Sequence, residues 1–385
     1  MIMLHVIQTV ASLNASKGGV TRTVTQLSKA LASCPDMRVS IVSADTDADL
    51  EVGGPRTAAD APVPGLARPV GSAARVRRLA EQSEATAILV HDNGLWLPSN
   101  LQAALGARRG RLPLIISPHG MLEPWALNHR ALRKRAALAT YQGWCLRSAI
   151  GFHATSPEEA TSIRRAGLRQ PIALVGNGIE SPPKGLKRTY DRTSSVLFLS
   201  RLHAKKGVLE LIAAWQEVRP LGWSLRIVGP DDGGYRERVV AAIYESGAAD
   251  SIALCDEVDD AGKWRHYAEA RLFILPSFSE NFGLVIGEAL ASGLPVITTT
   301  ATPWAQIGTR GCGWIIEPTV DAIAAALQAA TSLPPAELEN MGNRGRDWIP
   351  AEFSWPRIAA KMQEFYGWVA RGCAPPERPG FVHLD

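Results

Sequence analysis

The chain has 385 residues, 46% of them hydrophobic and 20% charged, with a net charge of +4. That length exceeds one ordinary core and suits two domains of roughly 150–200 residues each. The mild basicity excludes the clustered cationic surface of a nucleic-acid binder, and it suits an anionic small ligand or an acidic membrane surface.

In chain order, Leu4–Val10 reads as a first strand rather than a signal peptide, because no basic run precedes it and no cleavage site follows. Lys17-Gly18-Gly19 turns the chain into a helix near Thr21–Ser33, and Arg38–Ser43 is the second strand. Asp45-Thr46-Asp47-Ala48-Asp49 imitates an Asp-x-Asp metal motif but follows a strand in a polar loop, where turn formation is the better reading. Residues 53–72, rich in Gly, Pro and Ala, are a surface loop before a helix over Arg75–Ser83. Ala87–His91 and Leu114–Ser117 are short apolar strands that end in polar residues. Residues 130–147 form one long basic helix with Tyr141 and Trp144 on it, suited equally to a solvated face or to an anionic leaflet. Gly151–Ala154 is a strand, Ser156-Pro157-Glu158-Glu159 starts a helix, and Ile172–Val175 closes this half.

Residues 181–194 have linker composition. The pattern then restarts: strands over Ser195–Ser200, Ser224–Val228, Ile252–Leu254, Leu272–Leu275 and Pro295–Thr298 alternate with helices over Gly207–Val218, Gly234–Ser246, Lys263–Ala270 and Leu284–Ala291. Such alternation predicts an α/β protein with two parallel sheets in tandem and ligands outside the C-terminal strand ends. A last helix spans about Trp355–Val369. Five scattered cysteines without a C-x-x-C read as reduced thiols in a cytosol. No stretch of about 20 apolar residues lacks charge, so no membrane span is expected.

The segment Pro276–Ile297 carries the strongest signal. A strand ends at Pro276, a loop follows, and a helix begins near Phe282–Leu284. The main-chain N–H groups of Asn281, Phe282, Gly283 and Leu284 then lie at the positive end of a helix, a natural phosphate seat. Glu280 in the loop and Glu288 in the helix are odd beside an anion unless they bind hydroxyls, which a ribose and a sugar ring supply. In Leu197–Gly207, a guanidinium and an ammonium leave a strand end where they reach a diphosphate.

At these residues the chain resembles the retaining glycosyltransferases of family 4, whose GT-B fold has two Rossmann-like domains with parallel sheets facing a central cleft. Their hallmark is two glutamates with seven residues between them, as at Glu280 and Glu288. The resemblance implies that Glu280 contacts the donor sugar and Glu288 the nucleotide ribose, and that Arg201 and Lys206 hold the diphosphate. The family often has glycine before that arginine; Ser200 stands here. It implies that Gly18 and Gly19 lie across from the diphosphate and that His119 points at the donor sugar. The run Pro118–Trp125 looks like bacterial polysaccharide transferases, as does His91–Trp96, where His91, Asp92 and Trp96 are candidate acceptor contacts. An N-terminal acceptor domain over 1–180, joined by a returning helix at 355–372, and a donor domain over 195–354 follow from the resemblance.

The expected activity is transfer of a sugar from a GDP- or UDP-linked donor to a glycan or polyprenyl-diphosphate-linked acceptor in bacterial surface polysaccharide biosynthesis. No cofactor, metal or nucleic acid is expected. The expected location is cytoplasmic, with peripheral contact at the inner membrane. A sugar-nucleotide epimerase on the same fold and a non-catalytic assembly partner are the alternatives.

Overall fold

The computed structural model describes residues 3–14, 19–45, 50–52, 72–128, 130–186, 194–374 and 377–384. The chain divides into two compact units, Met1–Gly178 with Trp355–Asp385, and Ile179–Ser354.

The first unit begins with strands β1 (Leu4–Val10), β2 (Met37–Ser43), β3 (Leu50–Val52), β4 (Ala87–Asn93), β5 (Leu114–Ser117), β6 (Gly151–Ala154) and β7 (Ile172–Leu174). The second unit holds β8 (Ser194–Leu199), β9 (Trp223–Val228), β10 (Ile252–Cys255), β11 (Leu272–Leu275), β12 (Val296–Thr299) and β13 (Gly313–Ile316). The chain then returns to the first unit with the helix Trp355–Ala370 and β14 (Val382–His383).

The first sheet runs β14-β7-β6-β5-β4-β1-β2-β3, with only the two edge strands antiparallel to their neighbours. All seven residues of β1 are buried, as expected of a parallel strand covered on both faces. Its order reverses between β1 and β4, so the ligand-bearing position of such a sheet is at Val10 and Asn93, which pair in register. The second sheet is wholly parallel, β10-β9-β8-β11-β12-β13, and reverses between β8 and β11.

Sequence periodicity misses several elements. The helix Pro98–Gly110 buries mostly small residues, Ala103, Ala104, Gly106 and Ala107, which give a weak apolar stripe. Gly106 lies against the helix Ser72–Glu81, where an added Cβ would sit 3.0 Å from the Ala73 carbonyl oxygen. The helices Val320–Thr331 and Pro335–Phe353 and strands β13 and β14 are also beyond that reading. The single basic helix expected over 130–147 is interrupted. Helical turns over Ala131–Ala137 and Gly143–Ser148 flank a wider turn at Leu138–Gln142, with Thr140 outside helical geometry. A Cβ at Gly143 would lie 2.2 Å from the Leu138 carbonyl oxygen, so the bulge depends on that glycine. Tyr141 in this turn donates to the Trp96 carbonyl at 2.7 Å.

The helix Pro157–Arg165 starts where Ser156 and Pro157 place it, with the Ser156 hydroxyl accepting from Glu159 N–H at 3.1 Å. Asp45 accepts from the Leu13 N–H and the Ser12 and Ser43 hydroxyls, consistent with a turn; 46–49 lie outside the described residues, as do most of the 53–72 loop and residues 187–193 of the linker. The five cysteines are free. No helix among the described residues is long and apolar enough to cross a membrane.

Candidate active site

In the second unit the loops after β8 and β11 are fastened together. Phe278 N–H donates to the Lys205 carbonyl at 2.8 Å. A short 3-10 turn, Ala204–Lys206, is capped by His203, whose Nδ1 accepts from Lys205 N–H at 3.0 Å. Gly207 ends that turn at φ +69°, and a Cβ there would sit 2.2 Å from the Pro276 carbonyl oxygen. Only glycine allows the two loops this approach.

The approach sets Lys206 Nζ 2.5 Å from Glu280 Oε1, with the two side chains only 12% and 9% exposed. The Ser277 hydroxyl donates to the same oxygen at 2.7 Å, and Glu280 N–H donates to Ala301 O at 3.1 Å. Burial raises the Glu280 carboxyl, but Lys206, Ser277 and Lys205 outweigh it and hold the group below its usual range. Arg201 is exposed and reaches Asp232 at 2.7 Å. Burial lowers the nearby His203 ring; Asp232 opposes, and the cations Arg201, Lys206 and Lys205 add to the lowering. Lys206 and Glu280 therefore meet directly, while Arg201 leaves the end of β8 and pairs with Asp232.

Gly283, at φ +76°, opens the helix Leu284–Ala291 three residues beyond Glu280. The Phe282 side chain does not join the Lys206–Glu280 pair: it is buried against Trp304 at 5.3 Å and Phe353 at 6.0 Å, and its carbonyl accepts from Trp304 Nε1. Only its main chain stays near the helix start. Asn281 and Leu284 are half-buried there. Glu288 is 2% exposed and accepts from Lys263 Nζ at 2.9 Å and the Tyr267 hydroxyl at 3.2 Å. Lys263 also reaches the more exposed Glu180 at 3.1 Å. Sequence reasoning passes over Lys263 and Glu180 because a lysine at a helix start carries no pattern of its own.

In the first unit, polar side chains gather at the ends of β1, β4, β5 and β6. His119 follows β5 at φ +52°, half-buried, with Nε2 3.0 Å from Asn93 Oδ1. Burial, then the neighbouring His153, pushes its ring down to about 3. Its neighbour Gly120 donates N–H to Glu159 Oε1 at 2.7 Å. His91 and Asp92 are not open to an acceptor. His91 is fully buried between the Tyr366 hydroxyl and Ser117 Oγ, 2.7 Å from each. Asp92 is buried under Thr9 at 2.6 Å and Asn100 at 2.9 Å, and burial pushes its carboxyl up to about 6 against those two donors. Both sit inside the strand, where the sequence suggests a loop, because β4 continues two residues past His91. Trp96, just beyond it, is half-buried at φ +76° with Lys134 Nζ 5.5 Å from its ring centre. Gly19 is exposed at the first residue of the helix Gly19–Ala32, and Gly18 lies outside the described residues.

The sequence matches two family models: "Glycosyl transferase 4-like domain" over residues 18–178 and "Glycosyl transferases group 1" over residues 187–348. The chain is 28% identical over 252 residues to a glycogen synthase of Mycobacterium tuberculosis, a match that covers 61% of this chain and 58% of that protein. It is 30% identical over 182 residues to a GDP-mannose-dependent alpha-(1-6)-phosphatidylinositol monomannoside mannosyltransferase of the same organism, covering 44% of this chain and 46% of the relative. Its fold is similar to that of sucrose-phosphate synthase from Thermosynechococcus elongatus, with a TM-score of 0.73, 21% identity, and coverage of 96% of this chain and 100% of the other. With both halves matched and both sheets in the doubly wound order, the chain belongs to the family 4 type of glycosyltransferases, with the GT-B fold.

Proposed function

We propose that the chain is a retaining, metal-independent transferase that moves a sugar from a GDP- or UDP-linked donor onto a glycan or lipid-linked acceptor in surface polysaccharide biosynthesis. The observation that carries this reading is the buried Lys206–Glu280 pair, with a helix start three residues on and the exposed Arg201 five residues before Lys206. As the bond from the anomeric carbon to the diphosphate breaks, negative charge collects on the departing oxygen and the sugar becomes oxocarbenium-like. Lys206, Arg201 and the N–H groups at Asn281, Gly283 and Leu284 oppose that charge, the part a metal plays in other transferases. Glu280, kept ionised, accepts hydroxyls of the donor sugar.

Glu288 meets the ribose only if its ion pair with Lys263 opens; Glu180, which shares that lysine and is more exposed, offers a second carboxylate. His119 meets a hydroxyl of a sugar ligand. An acceptor hydroxyl attacks the anomeric carbon from the face the diphosphate leaves. One C–O bond forms, one breaks, and the hydroxyl proton passes to the departing phosphate oxygen, so configuration is retained without a covalent intermediate. GDP-mannose in the name of the mannosyltransferase relative supports a GDP-linked donor. The exposed Arg130, Arg133 and Arg135 are the groups with which a peripheral contact to anionic lipid would be made.

Arg201→Ala combined with Lys206→Ala should lower transfer at least ~100-fold, the scale of losing charge-stabilising donors. A change within about threefold contradicts the assignment. Donor converted with no acceptor present would favour an epimerase instead.

A further inference from the structure

A file of hydrogen bonds in the first unit runs from a backbone carbonyl to His119, and its direction can be read from either end. At one end the Val175 carbonyl can only accept, so His153 Nε2, 2.7 Å away, carries a proton. Burial holds the His153 ring at about 4, and it is neutral. Its Nδ1 therefore accepts from the Ser117 hydroxyl at 2.8 Å. That uses the only proton on Ser117, so His91 Nε2 donates to it at 2.7 Å. Burial, then the neighbouring His153 and His119, holds His91 well below its usual range, and its Nδ1 accepts from Tyr366 at 2.7 Å. The Tyr366 oxygen takes Gln8 Nε2 at 3.4 Å, and Gln8 Oε1 takes Asn93 Nδ2 at 2.9 Å.

The other end gives the same answer independently. Asn93 Nδ2 also donates to the carbonyls of Thr9 and His91, each at 3.2 Å. Carbonyls cannot donate, so turning the amide over would set oxygen against oxygen. Asn93 Oδ1 is thereby left facing His119 Nε2 at 3.0 Å, and that nitrogen must carry the proton.

From this polarity we infer that Asn93 is a positioning residue that fixes His119 as the Nε2–H tautomer and leaves its Nδ1 lone pair to accept a hydrogen bond from a sugar hydroxyl. The identity of the hydroxyl rests on the transferase reading; the tautomer does not. His119 is thus an acceptor toward its ligand, not a charged donor. The left-handed backbone at His119 and the Gly120–Glu159 bond hold the main chain while Asn93 holds the ring. The ionisable groups around it are His91 on β4, His153 on β6 and, through the Gly120 main chain, Glu159 on the helix Pro157–Arg165.

The test is histidine 15N NMR on the full chain, which has only 8 histidines, with His119 assigned through His119→Gln. The free protein should show a pyrrole-type Nε2 and a pyridine-type Nδ1 for His119, unchanged from about pH 8 to about pH 5.5. In Asn93→Asp, a carboxylate beside Nε2 favours the doubly protonated ring. Both nitrogens should become pyrrole-type at about pH 6, and the KM for the sugar ligand should rise about tenfold there and recover as pH rises. Asn93→Ala, the control should the aspartate variant unfold, should yield mixed tautomers and a KM about tenfold higher at every pH, with kcat changed less. A pyridine-type Nε2 in the wild type overturns the inference, as do wild-type ring signals in both variants. A correct tautomer in a chain that transfers no sugar supports the positioning role of Asn93 and sinks the transferase reading alone.

Discussion

Lys206 and Glu280 neutralise each other where neither keeps much water. For such a pair, losing one member is costlier than the pair itself is stabilising, since the survivor is left charged and buried without its counter-ion. On the proposed reading, a diphosphate arriving at Lys206 would replace part of what Glu280 supplies and free that carboxylate for hydroxyls. His91, His119 and His153 of the first unit carry the opposite arrangement, with rings kept neutral by burial. An unfolded chain takes up protons on His91 and His153 as pH falls through about 6.5, whereas the folded one does not bind them until about 4 for His153. Their neutral burial therefore adds no penalty above about pH 6.5, and stability drains away as pH falls across that window. Each ring adds about 1.4 kcal/mol per pH unit to the slope. Urea unfolding at a series of pH values should show His153→Gln with a slope shallower by one proton between about pH 6 and about pH 4.5. An unchanged slope would mean that His153 is not held neutral in the fold.

Elements bring these residues together, and one glycine shows how. Gly207 lets the turn after β8 rest on the loop after β11, which sets the Lys206–Glu280 distance. Gly207→Ala adds a left-handed strain and a contact with Pro276 that backbone must relieve. It should cost about 2–3 kcal/mol or more and weaken donor binding about tenfold or more. Thermal unfolding and donor titration check this, and a variant matching the wild type in both would show that the loops do not depend on that approach. The segment Pro276–Ile297 was legible because strand end, loop, glycine and helix follow one another in sequence. Glu288's partner was not, because Lys263 lies on another helix, 25 positions away. His91 and Asp92 misled for a related reason: a polar pair after an apolar run looks like a loop, yet β4 continues and its neighbours supply buried partners.

Across the whole molecule, the alternation of strands and helices made both parallel sheets readable, because each β–α step is local. What joins distant segments was not readable from pattern. Tyr366 looks like one more core residue of an amphipathic helix, but its hydroxyl lies 2.7 Å from His91, 275 positions earlier. The same helix buries Phe365, Trp368 and Met362 in the first unit's core, so segments at the two ends of the sequence form one domain. Polar residues within buried strands, Gln8 and His153 among them, were the one sequence signal of that inner network.

On the proposed reading, the second unit grips a nucleotide diphosphate sugar through Lys206 and Arg201. Calorimetric titration of the full chain with GDP- and UDP-linked sugars measures that grip. At least one donor should bind saturably, with affinity weakened at least ~100-fold by Arg201→Ala with Lys206→Ala in a variant that still melts cooperatively. Equal affinity in the wild type and that variant, or no binding of any such donor, would contradict it.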